Sequence, residues 1–206
     1  MQELASLAKH YDRLARGYDR ALDRIETWLL GDWRARAARH ARGRTLEIAI
    51  GTGRTLPYYP AGVMVIGLDL SRGMLDVAAR RARFSPARVS LIRGDAQRLP
   101  LRDDCIDVAI SVLTLCTIPD DRQALREAFR VLRPGGRLVL VEHVRSPNRA
   151  VRVVQRLLDP LSMRFVYDHL VREPLEHLET IGFRVLEVER RALGIVEWVL
   201  AEKPSA

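Results

Sequence analysis

The spacing of apolar residues divides the chain into three parts. From residue 2 to 29 they recur every three or four positions, which predicts amphipathic helix with a break at Gly17. From 45 to 143, short branched apolar runs alternate with stretches of helical period, which predicts an α/β fold with a parallel sheet. The predicted strands are 45–50, 63–69, 89–93, 106–113 and 137–143. After them we expect helices at 150–161 and 173–181 and an antiparallel pair of strands at 183–190 and 195–203.

The first strand ends in a glycine-rich turn, Gly51-Thr52-Gly53. A strand, a tight glycine turn and a helix form the nucleotide-binding corner of open α/β sheets, and the missing Cβ atoms let a ligand lie against the backbone. A dinucleotide fingerprint needs a third glycine at position 56, where this chain has Leu56. The turn therefore favours a smaller adenosyl ligand over a dinucleotide, and so argues against a dinucleotide-linked oxidoreductase. An ordinary strand-to-helix turn is the alternative.

Acidic residues follow the next two strands. Asp69 ends the second strand, where a carboxylate can accept both hydroxyls of a ribose; the alternative is a helix cap, although Ser71 already stands at the cap position. Asp95 follows the third strand and can accept from an exocyclic amine such as that of adenine, or form a local Asx-turn. Tyr11 and Tyr18 lie in a near-repeat of the N-terminal helices, and they are either core anchors or part of a lid over a cofactor.

Charge and composition narrow the classes of function. The 206 residues carry a net charge of +8, nearly all of it from arginine. No basic run is long and no aromatic residues alternate with the arginines, so we expect a solvated surface and no nucleic-acid partner. The chain has no stretch apolar enough to span a bilayer and no signal-peptide pattern, so we expect a cytoplasmic location. The two cysteines predict reduced thiols, and no spacing predicts a metal site.

The helix at 150–161 leaves two interpretations open. Val151, Val154, Leu158 and Leu161 share one face and Arg149, Arg152 and Arg156 share another, as in helices that lie on anionic membranes. The alternative, which we favour from the sequence, is a lid helix packed on the sheet, ended or kinked by Pro160. The sequence therefore leaves open whether the protein contacts the inner membrane surface peripherally. It does not indicate an oligomeric state.

Five motifs in register resemble the class I S-adenosylmethionine-dependent methyltransferases. They are Glu47-Ile-Ala-Ile-Gly51-Thr-Gly53, Gly67-Leu-Asp69-Leu-Ser71, Gly94-Asp95-Ala96, Asp107-Val-Ala-Ile-Ser111 and Leu132-Arg-Pro-Gly-Gly136. The resemblance implies a doubly wound, Rossmann-like, seven-stranded sheet of order 3-2-1-4-5-7-6 with strand 7 antiparallel. It also implies S-adenosylmethionine as cofactor and S-adenosylhomocysteine as product.

The resemblance assigns roles along these motifs. Gly51 and Gly53 would lie under the methionine portion, Asp69 would hold the ribose, and Asp95 with Ala96 would read the adenine. Met74 would pack nearby and Ser111 would line the floor. The implied cofactor-binding set is Tyr11, Tyr18, Glu47, Ala49, Gly51, Thr52, Gly53, Asp69, Leu70, Met74, Gly94, Asp95, Ala96 and Ser111. Ala49 departs from the family, which usually has glycine there, so the cofactor would be slightly displaced.

Other segments resemble particular subgroups. Quinone and phospholipid methyltransferases are similar to this chain at four segments: Tyr11-Asp12, Tyr18-Asp19, Leu99-Pro100 and Val141-Glu142-His143. The tail is similar to small lipid-associated thiol methyltransferases in three segments: Glu142 to Pro147, Leu157 to Pro160, and Asp168-His169. We therefore expect a single methyltransferase domain over 1–206. Its parts would be a helical cap at 1–44, a cofactor core at 45–143 and substrate-side elements at 144–206.

The expected reaction is methyl transfer to a small lipophilic acceptor, such as a quinone, a phospholipid amine or a thiol. The alternatives are a polar secondary metabolite as acceptor, and a non-catalytic membrane or RNA-binding protein on the same fold. A base is needed only if the acceptor must lose a proton. His143, with Glu142 beside it, is the candidate base or substrate orienter; a structural histidine is the alternative. Asp168 and His169 are the second candidates.

Overall fold

The computed structural model describes residues 2–205, apart from the side chains of residues 165 and 166. Seven strands form one sheet in the order β3-β2-β1-β4-β5-β7-β6, parallel except for β7, which confirms the predicted order and class. The strands are β1 (Arg44–Ile48), β2 (Met64–Asp69), β3 (Arg88–Arg93), β4 (Ile106–Val112), β5 (Leu132–His143), β6 (Arg184–Arg191) and β7 (Val196–Glu202).

Helices cover both faces of this sheet. They are α1 (Gln2–Leu14), α2 (Tyr18–Leu30), α3 (Trp33–Arg39), α4 (Arg72–Ala82), α5 (Asp121–Val131), α6 (Arg149–Val166) and α7 (Leu175–Ile181). Single 3₁₀ turns lie at Leu56–Tyr58, Leu115–Thr117 and Ala192–Gly194. None of the helices in residues 2–205 has both the length and the apolar character that a bilayer span requires.

The central strands are buried on both faces, which explains their continuous apolar sequence. One core layer packs Trp33 and Ala37 of α3 on the face of the sheet that carries Trp198 of β7, and the other packs residues of α5 and α7, such as Leu125 and Leu178, on the opposite face. Parallel pairing brings Ile48 of β1 level with Leu68 of β2 and Ser111 of β4. The loops after these strands therefore meet at one edge of the sheet.

Two elements differ from the predicted bounds. β5 begins at Leu132 rather than at residue 137, because Leu132 pairs with Ile106 before an irregularity in register, and Gly135 and Gly136 therefore lie inside the strand. α6 continues through Pro160 to Val166, so this proline does not end the helix, and the other alternative, that it kinks the helix, stays a prediction. Pro160 is exposed, and the carbonyl that loses its backbone partner there can be hydrated.

Candidate active site

The turn after β1 places left-handed backbone at the sheet edge. Gly51 has φ 57° and Gly53 has φ 76°. A Cβ at Gly51 would meet nothing within 4 Å, whereas one at Gly53 would lie 2.7 Å from Cδ1 of Leu56 and 3.3 Å from the backbone of Ala78. Gly51 therefore leaves open space beside the backbone, and Gly53 lets the turn pack on α4.

Ala49 has φ 47°, a conformation that disfavours residues with a Cβ. Leu113, at the end of the neighbouring strand β4, has φ 57°. Both residues line the cavities described below. Two residues with strained backbone therefore lie side by side at this point of the sheet edge, and functional sites often contain such residues.

Asp69 organises the ends of β1 and β2. Its Oδ2 accepts from the Gly51 amide at 2.8 Å, and its Oδ1 accepts from the Ser71 amide at 2.8 Å. Burial raises the pKa of Asp69 to about 6, against the effect of these two hydrogen bonds. The helix cap itself is Ser71, whose Oγ accepts from the Met74 amide. Each carboxylate oxygen of Asp69 keeps a further lone pair, so the group can also accept from ligand hydroxyls.

A first cavity lies over these strand ends. Most of the predicted cofactor residues line it, together with a roof from α1. The lining includes Leu7, Ala8, Tyr11, Tyr18, Ala49, Gly51, Asp69, Leu70, Ser71, Met74, Gly94, Asp95 and Ala96. Asp95 also accepts from the amide and the side chain of Gln97, both at 2.9 Å, so the Asx-turn and a ligand-facing position coexist.

Two aspartates fasten the cap, which consists of α1 and α2, to the cofactor side of the fold. Asp12 of α1 accepts from Ser71 Oγ at 2.6 Å and from the Gly73 amide at 2.7 Å. Asp19 of α2 accepts from Thr52 Oγ1 at 2.6 Å and from Arg81 at 2.7 Å. We call these contacts the two latches. The Tyr-Asp repeat is visible in the sequence, but its function is not: each aspartate holds a helix, and the adjacent tyrosine lines the cavities.

A second cavity of about 640 Å³ lies beneath the cap. Its wall is mostly apolar, with Leu14, Leu22, Ile25 and Leu29 from the cap side. It adjoins the first cavity, because Tyr11, Tyr18, Ala49, Gly51, Leu113, Thr114 and Thr117 line both. A ligand in the second cavity would therefore face a ligand in the first at these residues.

Polar groups converge on one side of the second cavity. His143 ends β5, and Asp168 reaches it from the tail because the His169 amide donates to the Cys116 carbonyl at 3.0 Å. Nδ1 of His143 and Oδ1 of Asp168 are buried without a hydrogen-bond partner among the described residues. Burial lowers the pKa of His143, and the nearby Asp168 carboxylate opposes that shift. The neutral imidazole can therefore accept a proton at neutral pH.

Glu142 faces away from both cavities. Its carboxylate accepts from Ser111 Oγ at 2.5 Å and from the amides of Thr114 and Leu115 at 3.0 and 3.1 Å. Burial raises its pKa to about 8. It therefore anchors the loop after β4, which carries Thr114 into the cavity wall.

The structure brings together most, but not all, of the predicted site residues. Thr52, His143 and Asp168 line the second cavity. Glu47, Gly53, Ser111 and Glu142 line neither cavity; Glu47, whose pKa burial raises to about 7, accepts from Tyr59 at 2.9 Å. His169 lines a third, smaller cavity beside Arg172. Cys116 and Thr117 were missed, because no local motif marks a loop residue as part of a cavity wall. Among the residues described, no cluster could hold a metal ion.

Comparisons with known proteins agree with this geometry. A family model described as a methyltransferase domain matches residues 46–140. A demethylmenaquinone methyltransferase of Clavibacter sepedonicus is 34% identical over 79% of this chain and 66% of its own length. A phosphatidylethanolamine N-methyltransferase of Cereibacter sphaeroides is 30% identical over 76% of this chain and 77% of its own.

The same fold occurs in a solved S-adenosylmethionine-dependent methyltransferase of Thermotoga maritima, with a TM-score of 0.72, 22% identity and coverage of 95% of this chain and 99% of that one. The chain belongs to the class I S-adenosylmethionine-dependent methyltransferases. The family implies S-adenosylmethionine as methyl donor, and the open space at Gly51 and the acceptor capacity of Asp69 fit that cofactor.

Proposed function

We propose that this protein transfers a methyl group from S-adenosylmethionine to a small lipophilic acceptor. The observation that carries the proposal is the large, mostly apolar cavity beneath the cap, which adjoins the cofactor residues and contains His143 and Asp168, whose Nδ1 and Oδ1 atoms are buried without a hydrogen-bond partner among the described residues. In this proposal, residues 1–44 and 144–206 form the acceptor side of one domain, and residues 45–143 form the cofactor side.

The cofactor supplies a methyl group that is already activated on a sulfonium, so the protein mainly has to align the two partners. Asp69 accepts the ribose hydroxyls, while Asp95 and Ala96 contact the adenine. The open backbone at Gly51 lies against the methionine portion. Tyr11 and Tyr18 close the cavity from the cap.

His143 and Asp168 act on the acceptor. Neutral His143 takes a proton from an acceptor hydroxyl through Nδ1, and the Asp168 carboxylate stabilises the imidazolium that results. Cys116 lies beside Asp168 in the cavity wall, where burial and the nearby carboxylate raise the pKa of its thiol, so that it stays neutral. His169 has no part in this step.

Among lipophilic acceptors we favour a hydroquinone ring, such as the reduced form of the quinone named in the Clavibacter relative. The uncharged ring of a hydroquinone suits the mostly apolar wall of the cavity, and a ring hydroxyl can give its proton to His143. We further propose a cytoplasmic protein that contacts an anionic membrane peripherally and has no nucleic-acid partner.

The test is a transfer assay with methyl-labelled S-adenosylmethionine and a reduced naphthoquinone that carries a short prenyl chain. We expect label in the organic phase, and loss of turnover in His143→Ala and Asp168→Asn with S-adenosylhomocysteine binding retained. His169→Ala is the control and should keep turnover. Label on phosphatidylethanolamine or on a thiol, and not on the naphthoquinone, would identify that molecule as the acceptor in place of the hydroquinone. Failure of the protein to bind S-adenosylhomocysteine would refute the reaction itself.

A further inference from the structure

Helix α6 buries its polar side and exposes its apolar side. Inward, Gln155 donates to the carbonyls of Val144 and Leu170, both at 2.9 Å, and accepts from the Ser146 amide at 2.8 Å. Outward, Leu157 is 71% exposed, with Leu161 exposed beside it. Surface helices normally turn their apolar side to the core. The outward leucines therefore serve something other than folding.

Cations accompany this face. Arg149, Arg156 and Arg164 are exposed on α6, and none of them forms an ion pair with any side chain that the structure describes. The single acidic residue of the helix, Asp159, points the other way and accepts from the Leu170 amide at 2.7 Å. The exposed side of α6 is thus apolar and basic, with no acid in it.

The same kind of surface continues to the second cavity. Leu193, 69% exposed, is tied to the start of α6 because Ser146 Oγ donates to its carbonyl at 2.6 Å. Arg191, two positions earlier, donates to the Leu30 carbonyl at the end of α2. On α2, Trp28 is 73% exposed, and exposed Ile25 lines the second cavity. We call Leu157, Leu161, Leu193, Trp28 and Ile25 the apolar strip.

We propose that the apolar strip docks on an anionic phospholipid bilayer. The strip enters the boundary between headgroups and acyl chains, the arginines of α6 contact lipid phosphates, and α6 lies in the plane of the membrane. A bilayer fits better than a protein partner, because the strip runs over three separate elements and the charged residues on the exposed face of α6 are all cations. The Ile25 end then sets the second cavity against the membrane. That last point rests on the proposed function, since it delivers a lipophilic acceptor directly from the bilayer.

The test is co-flotation with vesicles, without cofactor or acceptor. We expect binding to vesicles of phosphatidylglycerol and phosphatidylcholine, little binding to phosphatidylcholine alone, and weakening by salt. Replacing Arg149, Arg156 and Arg164 by Gln should reduce partitioning about 100-fold, or about fivefold for each charge. Leu157→Gln with Leu161→Gln should reduce it at least about tenfold. Phe84→Gln, an exposed aromatic outside the strip, is the matched control and should bind normally.

Equal binding to both vesicle types, or binding that the strip variants leave unchanged, would overturn the proposal. So would a dimer in solution that Leu157→Gln dissociates, because the strip would then be covered by a second copy. Methyl transfer to a short-chain acceptor without vesicles is measured separately. The strip variants should retain this methyl transfer. If neither the wild type nor the variants transfer methyl groups while the wild type still binds vesicles, the result counts against the reaction and not against the docking.

Discussion

The two latches predict that the cap opens in measurable steps. Asp19→Ala removes hydrogen bonds to Thr52 and Arg81. Hydrogen bonds to charged groups contribute about 1.5–3 kcal/mol each when buried, but Asp19 and Arg81 are each about 30% exposed, so solvent screens the pair. We therefore expect a loss of about 1.5 kcal/mol, which is roughly a tenfold rise in the open fraction of α2.

Asp12→Ala should have a similar effect on α1. Its carboxylate caps the first turn of α4 through the Gly73 amide, and the loss of such a cap costs about 1 kcal/mol. The latches hold different helices by separate contacts, so their effects should add to roughly 50- to 100-fold in the double variant. Affinity for S-adenosylhomocysteine should fall in parallel, because the roof of the first cavity moves away with α1.

Hydrogen exchange of the amides in α1 and α2 measures the opening directly. Asp23→Ala is the matched control, since this aspartate of α2 is 69% exposed and, among the residues that the structure describes, pairs with Arg54 alone, so its loss should change little. The pKa values of Asp12 and Asp19 are lowered in the fold, chiefly by hydrogen bonds that outweigh desolvation. The latches are therefore intact above the ordinary aspartate pKa and weaken as the pH falls below it. Unchanged exchange in Asp19→Ala, or equal effects from Asp23→Ala, would refute the reasoning.

Three further predictions concern the sheet edge. Ala49→Gly should raise the free energy of unfolding by about 1 kcal/mol, because Ala49 has φ 47°; a urea midpoint that does not increase would contradict this. Gly73→Ala should weaken S-adenosylhomocysteine binding in calorimetry, because its Cβ would lie 2.9 Å from the backbone of Asp12 and displace α1. Glu142→Gln should remove a loss of stability that the wild type shows as the pH rises from 5 to 9. The folded pKa of Glu142 is raised from 4.5 to about 8, so the free energy of unfolding of the wild type should fall by up to about 5 kcal/mol over this pH range. Denaturant titrations at several pH values measure this free energy, and the prediction is wrong if it depends on pH in the same way in the wild type and in Glu142→Gln.

The cofactor half of the site follows from local sequence. Strands buried on both faces need continuous apolar runs, the turn after β1 needs glycine, and Asp69 follows its strand directly. Each signal lies within a few residues of the structure that it predicts. The latches have no such signal, because Asp12 meets Ser71 across 59 positions and only if Gly73 lets α1 approach. A contact of that kind depends on how a whole helix docks.

The acceptor half is less predictable because its residues come from distant loops. Asp168 joins His143 only after the tail folds back on the loop after β4, where Arg172 pairs with Asp121 at 2.7 Å. The sequence singled out both residues as polar positions near strand ends and in the tail. It could not show that they share one cavity, nor that Glu142, next to His143, turns to the opposite side.

The orientation of α6 shows why amphipathic pattern alone is insufficient. The sequence shows that the helix has an apolar face and a polar face, but it does not show which of the two the fold will bury. If the leucines packed inward, the partners of Gln155 at Val144, Ser146 and Leu170 would lose their hydrogen bonds, at about 1–3 kcal/mol each when buried. Burying Leu157 and Leu161 would gain about 1.5–3 kcal/mol each, which does not clearly exceed that loss. A membrane removes the conflict, because the polar face keeps its bonds inside the protein while the leucines leave water on the other side. At a lipid surface the observed packing therefore keeps the hydrogen bonds of Gln155 and also gains the burial of the leucines.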